Sequence, residues 1–331
     1  MVKPGPPGSD RMTMQDLAHL AGVSSITVSR ALRDSPLVRE ELREQIKRLA
    51  DKHGYRLNAA ARNLRTMRAH SVTAVIEMDP TTERPMSEPL VLMVIGGLLQ
   101  TLTTQGYRLV LTTRAEALRS NVLDADGIIL LGQGPNDEAM HQIRRFNLPL
   151  VVWGISRPAA DGVVFVGSDN QAGGRLVGEH LADLGRRRIL FLGDTVHAEV
   201  AQRLAGLEAA LAGRDIPVTV APCAFSRTAA RAAVAAELAR GTRFDAVMAC
   251  SDFLALGALD GLEEAGLRVP GDVAVTGYDD AAAQGRLTSV RQDFDLAGQV
   301  LARKMLDLIA GGPIASEMIP VELVVRSSTQ G

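Results

Sequence analysis

Three features of this sequence point to an α/β protein headed by a small bundle of helices. The stretch from Thr13 to Arg33, TMQDLAHLAGVSSITVSRALR, reads as two short capped helices joined by a glycine turn. From Val72 the pattern changes to apolar strands alternating with amphipathic helices, the grammar of parallel α/β sheets. A second series of the same kind begins near Arg188, so two similar halves stand in tandem with a cleft between them. The expected organisation is a disordered lead over 1–10, a helix-turn-helix bundle over 11–57, a hinge helix and linker over 58–70, and a two-lobed body over 71–331. Within that body the N-lobe takes about 71–166 plus 294–318, and the C-lobe about 167–293 plus 319–331.

Thr13 can cap the first helix by accepting a backbone N–H bond, and Asp16, three residues on, can reciprocate, so the helix starts at about Met14. Leu17, Ala18 and Ala21 recur at three- and four-residue spacing and share a face to be buried. Gly22 permits the positive φ of a tight turn, Val23 follows as a core anchor, and Ser24 caps the next helix. There Val28, Ala31 and Leu32 face inward. Ser25, Ile26, Thr27, Ser29, Arg30 and Arg33 are left toward the other side or its edges, and nearly all are small, hydroxylic or cationic. That set suits the major groove of DNA, with hydroxyls and helix N-termini for phosphates and an arginine fork for the O6/N7 pair of guanine. An ordinary helical hairpin, built by the same capping rules, is the alternative.

A turn at Asp34-Ser35-Pro36 leads to a third helix over Arg39–His53, with Leu42, Ile46 and Leu49 at helical spacing and Gly54 ending it. Asn58–Thr66, NAAARNLRT, has Leu64 as its one large apolar residue and falls short of the roughly 12–15 residues an isolated helix needs in water. A segment helical only when held suits a switch. In the body, strands are expected near Val72–Met78, Tyr107–Thr112, Gly127–Leu131 and Leu150–Trp153, then near Arg188–Leu192, Val218–Ala221, Ala246–Ala249 and Val273–Thr276. Helices are expected at Pro89–Gln105, Asp137–Phe146, Ala172–Gly185, Ala201–Ala212, Arg227–Ala239 and Asp252–Ala265. The closing Leu296–Ala310 helix and Ile319–Val325 strand cross back over.

The total charge of −2 conceals an asymmetry. Residues 1–70 hold 13 Lys/Arg against 7 Asp/Glu, whereas residues 71–331 hold 23 against 31. A basic head suits a polyanion, and an acidic body reduces non-specific binding elsewhere. Cys223 and Cys250 stand without CxxC or His-rich company, so neither zinc nor a disulfide framework is indicated, and a reducing cytoplasm is the natural compartment. The start, MVKPGPPGSD, is not a signal peptide, and the longest apolar run, Leu90–Leu99, is too short to span a bilayer.

At TMQDLAHLAGVSSITVSRAL, GYRLNAAARNL, VGSDNQAGGRLVGEHLADLG, RLAGLEAAL, VAVTGYDD, LTSVRQDF and VELVVRSST the chain resembles transcriptional regulators of the lactose/galactose repressor (LacI/GalR) family, over about residues 12–328. The resemblance implies a periplasmic-binding-protein-like effector domain, a homodimer on double-stranded operator DNA, and a sugar or sugar-derived small molecule as effector. It implies that Ser25, Ile26 and Arg30 read bases, while Thr13, Ser24, Thr27 and Ser29 hold phosphates. Ile26 cannot hydrogen-bond, so it would read a thymine methyl or groove shape, or else pack against the bundle. Leu64 aligns with the leucine that wedges between base steps in the minor groove, Asn58 with the hinge-helix cap and Ala61 with its groove-facing side. Effector contacts are implied at Arg203, Phe225, Ser251, Asp279 and Phe294. A carboxylate accepts from paired hydroxyls, an arginine donates to them, and an aromatic face covers the C–H side of a ring. Asp280 competes with Asp279 for that role.

The chain also departs from the family pattern. Leu57 replaces the proline that commonly precedes the hinge asparagine, Ser251 stands where asparagine is frequent, and Gly154 where some relatives have aspartate. The loop Ala281–Arg286 lacks the usual proline, MDPTTERPMSEPL is unusual, and Thr113–Asp126 is short. No heptads follow Val325, so a dimer without a tetramerising tail is expected. No GxSxG, HExxH, GxxxxGK[ST] or early GxGxxG is present, so an enzyme has little to stand on and no cofactor or metal site is expected. A periplasmic sugar-binding protein would need an export signal and no Thr13–Arg33. A co-repressor-dependent regulator of the purine-repressor sort is the alternative.

Overall fold

In the computed structural model, Thr13 and Asp16 close the first helix with a reciprocal cap. The Thr13 amide donates to Asp16 Oδ2 at 2.9 Å and the Asp16 amide to Thr13 Oγ1 at 3.2 Å, which starts α1 (Met14–Ala21) where the spacing requires. The structure describes residues 12–55, 68–77, 89–120, 124–156, 162–281, 285–313 and 315–330. Asn58, Ala61, Leu64 and the expected hinge helix lie outside these residues, as does the lead over 1–10. The chain falls into two compact units, Met1–Ala69 and His70–Gly331.

In the first unit Gly22 ends α1 at φ +67°, where a side chain is strained, and the Val23 amide turns back to the Ala18 carbonyl at 3.0 Å. Ser24 Oγ then accepts from the Thr27 amide at 3.2 Å and starts α2 (Ser25–Ala31). The third helix, α3 (Glu40–Lys52), completes a bundle around Leu17, Ala18, Val28, Ala31, Val38, Ile46 and Ala50. Burying each of its larger side chains is worth about 1.5–3 kcal/mol, so this is a modest core.

In the second unit β1 (Ser71–Ile76), β2 (Arg108–Thr113), β3 (Gly127–Leu131), β4 (Leu150–Trp153), β5 (Val163–Ser168) and β11 (Glu317–Ile319) form one sheet, in the order β11-β5-β4-β3-β1-β2. A second sheet has the order β12-β10-β9-β8-β6-β7, built from β6 (Ile189–Leu192), β7 (Val218–Ala221), β8 (Ala246–Ala249), β9 (Ala274–Asp279), β10 (Thr288–Arg291) and β12 (Glu322–Val324). Every strand pair is parallel except β10 with β12. Strands such as β1, β3 and β8 are buried along their whole length, as sheets covered on both faces require. After β10 the chain returns to the first sheet, where the Phe294–Ile309 helix packs Ala297, Val300, Leu301 and Met305 against Val91, Val94 and Leu98.

Three local expectations are corrected. β5 and β10 were not anticipated: TSVR carries a single apolar residue, and VVFV is a short continuous apolar run that periodicity alone does not assign to a strand. The single strand expected over Ile319–Val325 is instead β11 and β12, one in each sheet, parted at Pro320, whose missing N–H cannot serve a ladder. The helix expected over Asp137–Phe146 is a short α-helix, Glu138–Ile143, flanked by two 3₁₀ turns, and an additional short helix spans Arg114–Ser120.

Candidate nucleic-acid interface and ligand cleft

Helix α2 buries Val28 and Ala31 and turns Ile26 and Arg30 to solvent. Ile26 is 65% exposed, so packing against the bundle is not what holds it. Ser25 and Thr27 are half-buried beside them. Thr13 and Ser24 carry the caps, and Ser24 Oγ also lies 2.9 Å from Thr27 Oγ1. Ser29 is less available than its spacing implies: Arg33 reaches back one turn, donating from Nη2 to Ser29 Oγ at 2.5 Å and from Nε to the Ser29 carbonyl at 2.7 Å. Arg30 makes no such intrahelical contact among the described residues.

In the second unit a cavity of about 490 Å³ opens at the carboxyl ends of both sheets, where ligands of such folds bind. All five residues expected from sequence line it: Arg203, Phe225, Ser251, Asp279 and Phe294. Arg203 is placed by close helix packing. A Cβ on Gly206 would fall 2.0 Å from the Gln171 carbonyl, and one on Gly174 2.0 Å from the Arg203 carbonyl, so only glycine lets the Asn170–Asp183 and Ala198–Leu211 helices meet this closely. From there Arg203 Nε donates to Asn170 Oδ1 at 2.7 Å, Nη1 donates to the Cys250 carbonyl, and the guanidinium lies 3.7 Å above the centre of the Tyr278 ring.

Asp279 ends β9 with φ +111°, a conformation that few non-glycine residues adopt and that marks functional sites often enough to be informative. Its Oδ1 accepts from Gln292 Nε2 at 2.6 Å and lies 4.0 Å from Arg203 Nη1. Burial works against the charge of Arg203, and Tyr278 and Asp279 more than offset it, holding the guanidinium pKa above its ordinary value. Asp280 is committed elsewhere, to Arg291 at 2.8 Å and Arg326 at 2.6 Å, which leaves the cavity to Asp279.

Ser251 is primarily a helix cap: its Oγ accepts from the Leu254 amide at 3.3 Å, leaving its proton for donation into the cavity. Phe225 is half-buried and meets His197 edge-on at 5.3 Å, whereas Phe294 is fully packed against Trp153 at 6.1 Å. Sequence reasoning missed Trp153, Ser168, Asn170 and Gln292 as lining residues. The position of Ser168 and Asn170 inside VGSDNQAGG was the available signal. Ser168 Oγ is buried and has no hydrogen-bond partner among the described residues, so a ligand hydroxyl can satisfy it. Burial, with Asp194 adding to it, pushes the Cys223 thiol up to about 11, so it presents no thiolate. Among the described residues no group of His, Cys, Asp and Glu could hold a metal ion, and no helix is long and apolar enough to cross a membrane.

A helix-turn-helix head on a chain whose second unit opens a cavity across two parallel sheets defines a ligand-responsive transcriptional regulator. A family model for bacterial regulatory proteins of the lacI family matches residues 13–58, and one for a periplasmic binding protein-like domain matches residues 179–329. The HTH-type transcriptional regulator CelR of Thermobifida fusca is 33% identical over 338 aligned positions, covering 96% of this chain and 98% of its own. The HTH-type transcriptional regulator MalR of Streptomyces coelicolor is 32% identical over 347 positions, covering 96% of each. The solved CelR–cellobiose complex matches with a TM-score of 0.71 at 29% identity, over 96% of this chain and 100% of that one. The lac repressor dimer bound to operator and the anti-inducer ONPF shares the fold, with a TM-score of 0.82 at 23% identity over 97% of this chain and 100% of that one. The chain belongs to the LacI family of bacterial regulatory proteins, a family of transcriptional regulators rather than enzymes.

Proposed function

We propose that this chain is a repressor that holds a near-palindromic operator as a dimer and releases it when a sugar or sugar derivative fills the cleft. One observation carries the effector half: a buried carboxylate, an arginine and aromatic rings converge on one cavity, together with an unpartnered serine hydroxyl. That is the equipment for a polyol. Two relatives support it, the CelR complex with cellobiose and an Enterococcus faecium LacI family regulator with bound ribose, 26% identical with a TM-score of 0.66 over 78% of this chain and 98% of that one.

The DNA half rests on the outward face of α2. Arg30 and Ile26 read base edges, Ser25 assists them, and the capped N-termini of α1 and α2, with Thr13, Ser24 and Thr27, hold phosphates. Ser29 contributes only if Arg33 lets go of it. In the linker over 58–70, Asn58, Ala61 and Leu64 contact the centre of the operator. The dimer is supported by apolar side chains left in solvent: Leu92, Met93 and Leu99 on the Pro89–Thr104 helix, and Val110 and Leu111 on the edge strand β2. Exposed apolar patches and open strand edges are surfaces proteins normally cover.

Effector closure of the lobes shifts that interface and weakens the grip on the operator, a coupling of about 1–3 kcal/mol in such systems. The test is fluorescence anisotropy on symmetric duplexes selected from random sequence by the full-length protein, repeated with a panel of sugars. A salt-sensitive, sequence-dependent complex weakened by at least one sugar is expected. Binding strengthened by a purine instead would make the cleft a co-repressor site.

A further inference from the structure

The cavity has two polar ends, and the strand order sets the distance between them. At one end lie Ser168 at the end of β5, Asp279 at the end of β9, and Gln292 after β10, joined by Asn170 and Arg203. At the other lie Glu77 after β1, Asp194 after β6, and Phe225 with His197 beyond β7 and β6. In the first sheet β5 and β1 are three strand spacings apart, and in the second β9 and β7 are also three apart. At about 4.8 Å per spacing, each pair of strand ends is separated by about 14 Å. That is longer than one pyranose ring with its hydroxyls. An aromatic surface serves each end, Trp153 and Phe294 near the first and Phe225 near the second.

The charge pattern restricts the ligand further. Among the described residues the lining carries Glu77, Asp194, Glu199 and Asp279 against one arginine, Arg203. That arginine has Nε committed to Asn170 and Nη1 to the Cys250 carbonyl, with Asp279 balancing it at 4.0 Å. Glu77 is in turn held by Arg114 at 2.6 Å. Among the described lining residues no lysine and no second arginine faces an incoming carboxylate or phosphate, and placing an anion beside four carboxylates, with Asp279 buried, is unfavourable. Hydroxyl donors meet acceptors throughout.

We propose that the effector is an uncharged saccharide of at least two linked rings, one seated at the Ser168–Asn170–Asp279 end and the next against Phe225. This rests on the sugar-effector reading and narrows it. The test is calorimetry and thermal shift on the full-length protein with cellobiose, maltose, lactose and their trisaccharide homologues. Glucose, galactose, ribose, gluconate, glucose 6-phosphate, glucosamine and adenine complete the panel. A neutral di- or trisaccharide is expected to bind at least about tenfold tighter than its component monosaccharide, roughly what one extra buried ring contact supplies. Phe225→Ala is expected to shrink that preference by about tenfold. A monosaccharide binding as tightly as any longer sugar, or gluconate, glucose 6-phosphate or glucosamine binding tighter than the neutral sugars, overturns the inference and leaves the sugar reading intact. Binding of adenine alone, or of no saccharide, overturns both.

Discussion

The helical head and the ligand cleft use their polar groups in opposite ways. In the head the groups that carry the chemistry face outward within the 21 residues from Thr13 to Arg33, over a core of seven buried residues that runs on to Ala50. Ile26 and Arg30 are exposed and need only a helix beneath them. In the cleft the groups are buried and hold one another: Asn170, Arg203, Cys250, Tyr278, Asp279 and Gln292 form one connected set drawn from five elements and loops. A site made of exposed groups on a helix tolerates local change, whereas one made of mutually satisfied buried groups fails as a unit.

The largest effect should come from a single added methyl behind the cavity lining, one helical turn from Arg203. Gly206→Ala places a Cβ 2.0 Å from the Gln171 backbone, which forces the Asn170–Asp183 and Ala198–Leu211 helices apart and carries Arg203 with them. A loss of about 3 kcal/mol in the unfolding of the body is expected by thermal melting, at the upper end of what overpacking costs. Effector binding should fall with it. Unchanged melting and binding would mean the cleft is less interlocked than its contacts imply.

Asp279→Asn keeps the shape and an acceptor for Gln292 but removes the charge that balances Arg203. Effector affinity should drop about a hundredfold by calorimetry, close to the 3 kcal/mol at the upper end for a hydrogen bond to a charged group. Effector-free operator binding should persist. In the head Arg30→Ala should cost about 1–3 kcal/mol on the preferred duplex and relax preference at a single base pair, measured by anisotropy on single-base variants. A uniform loss across all variants would reassign Arg30 to a phosphate.

The same contrast explains what could be read from sequence. Capping residues, the glycine turn and buried spacing act over three to five residues, so Thr13, Asp16, Gly22, Ser24 and the core of the bundle were legible before any coordinates. Alternating strands and helices were legible for the same reason, except where the run was too short or too polar to carry a period, as in β5 and β10. The cleft depends on which strand neighbours which. Five lining residues were named from resemblance, but nothing local marks Gln292 as the partner of Asp279, or Ser168 as an unsatisfied hydroxyl. The choice between Asp279 and Asp280 needed Arg291 and Arg326, 11 and 46 residues downstream of Asp280.

The smallest effect concerns the cap that begins the head. Thr13→Ala removes the hydroxyl that accepts from the Asp16 amide, and loss of such a cap typically costs about 1 kcal/mol. The other half of the cap titrates. Asp16 is held below the ordinary carboxylate range, first by the Thr13 hydroxyl and then by the Thr13 amide, against a small opposing effect of burial. Because its folded pKa lies below the unfolded one, its contribution is present above the unfolded carboxylate pKa of about 3.9 and is lost as the pH falls through the folded value. Circular dichroism melts of the full-length protein should therefore show the low-temperature helical transition of the head weakening on acidification below that range. Asp16→Asn should lower that transition at neutral pH and flatten its acid dependence. An acid dependence of undiminished slope in Asp16→Asn would place the titrating group elsewhere in the head, with Asp34, whose carboxylate is held down chiefly by Lys47 at 2.7 Å, the next to replace.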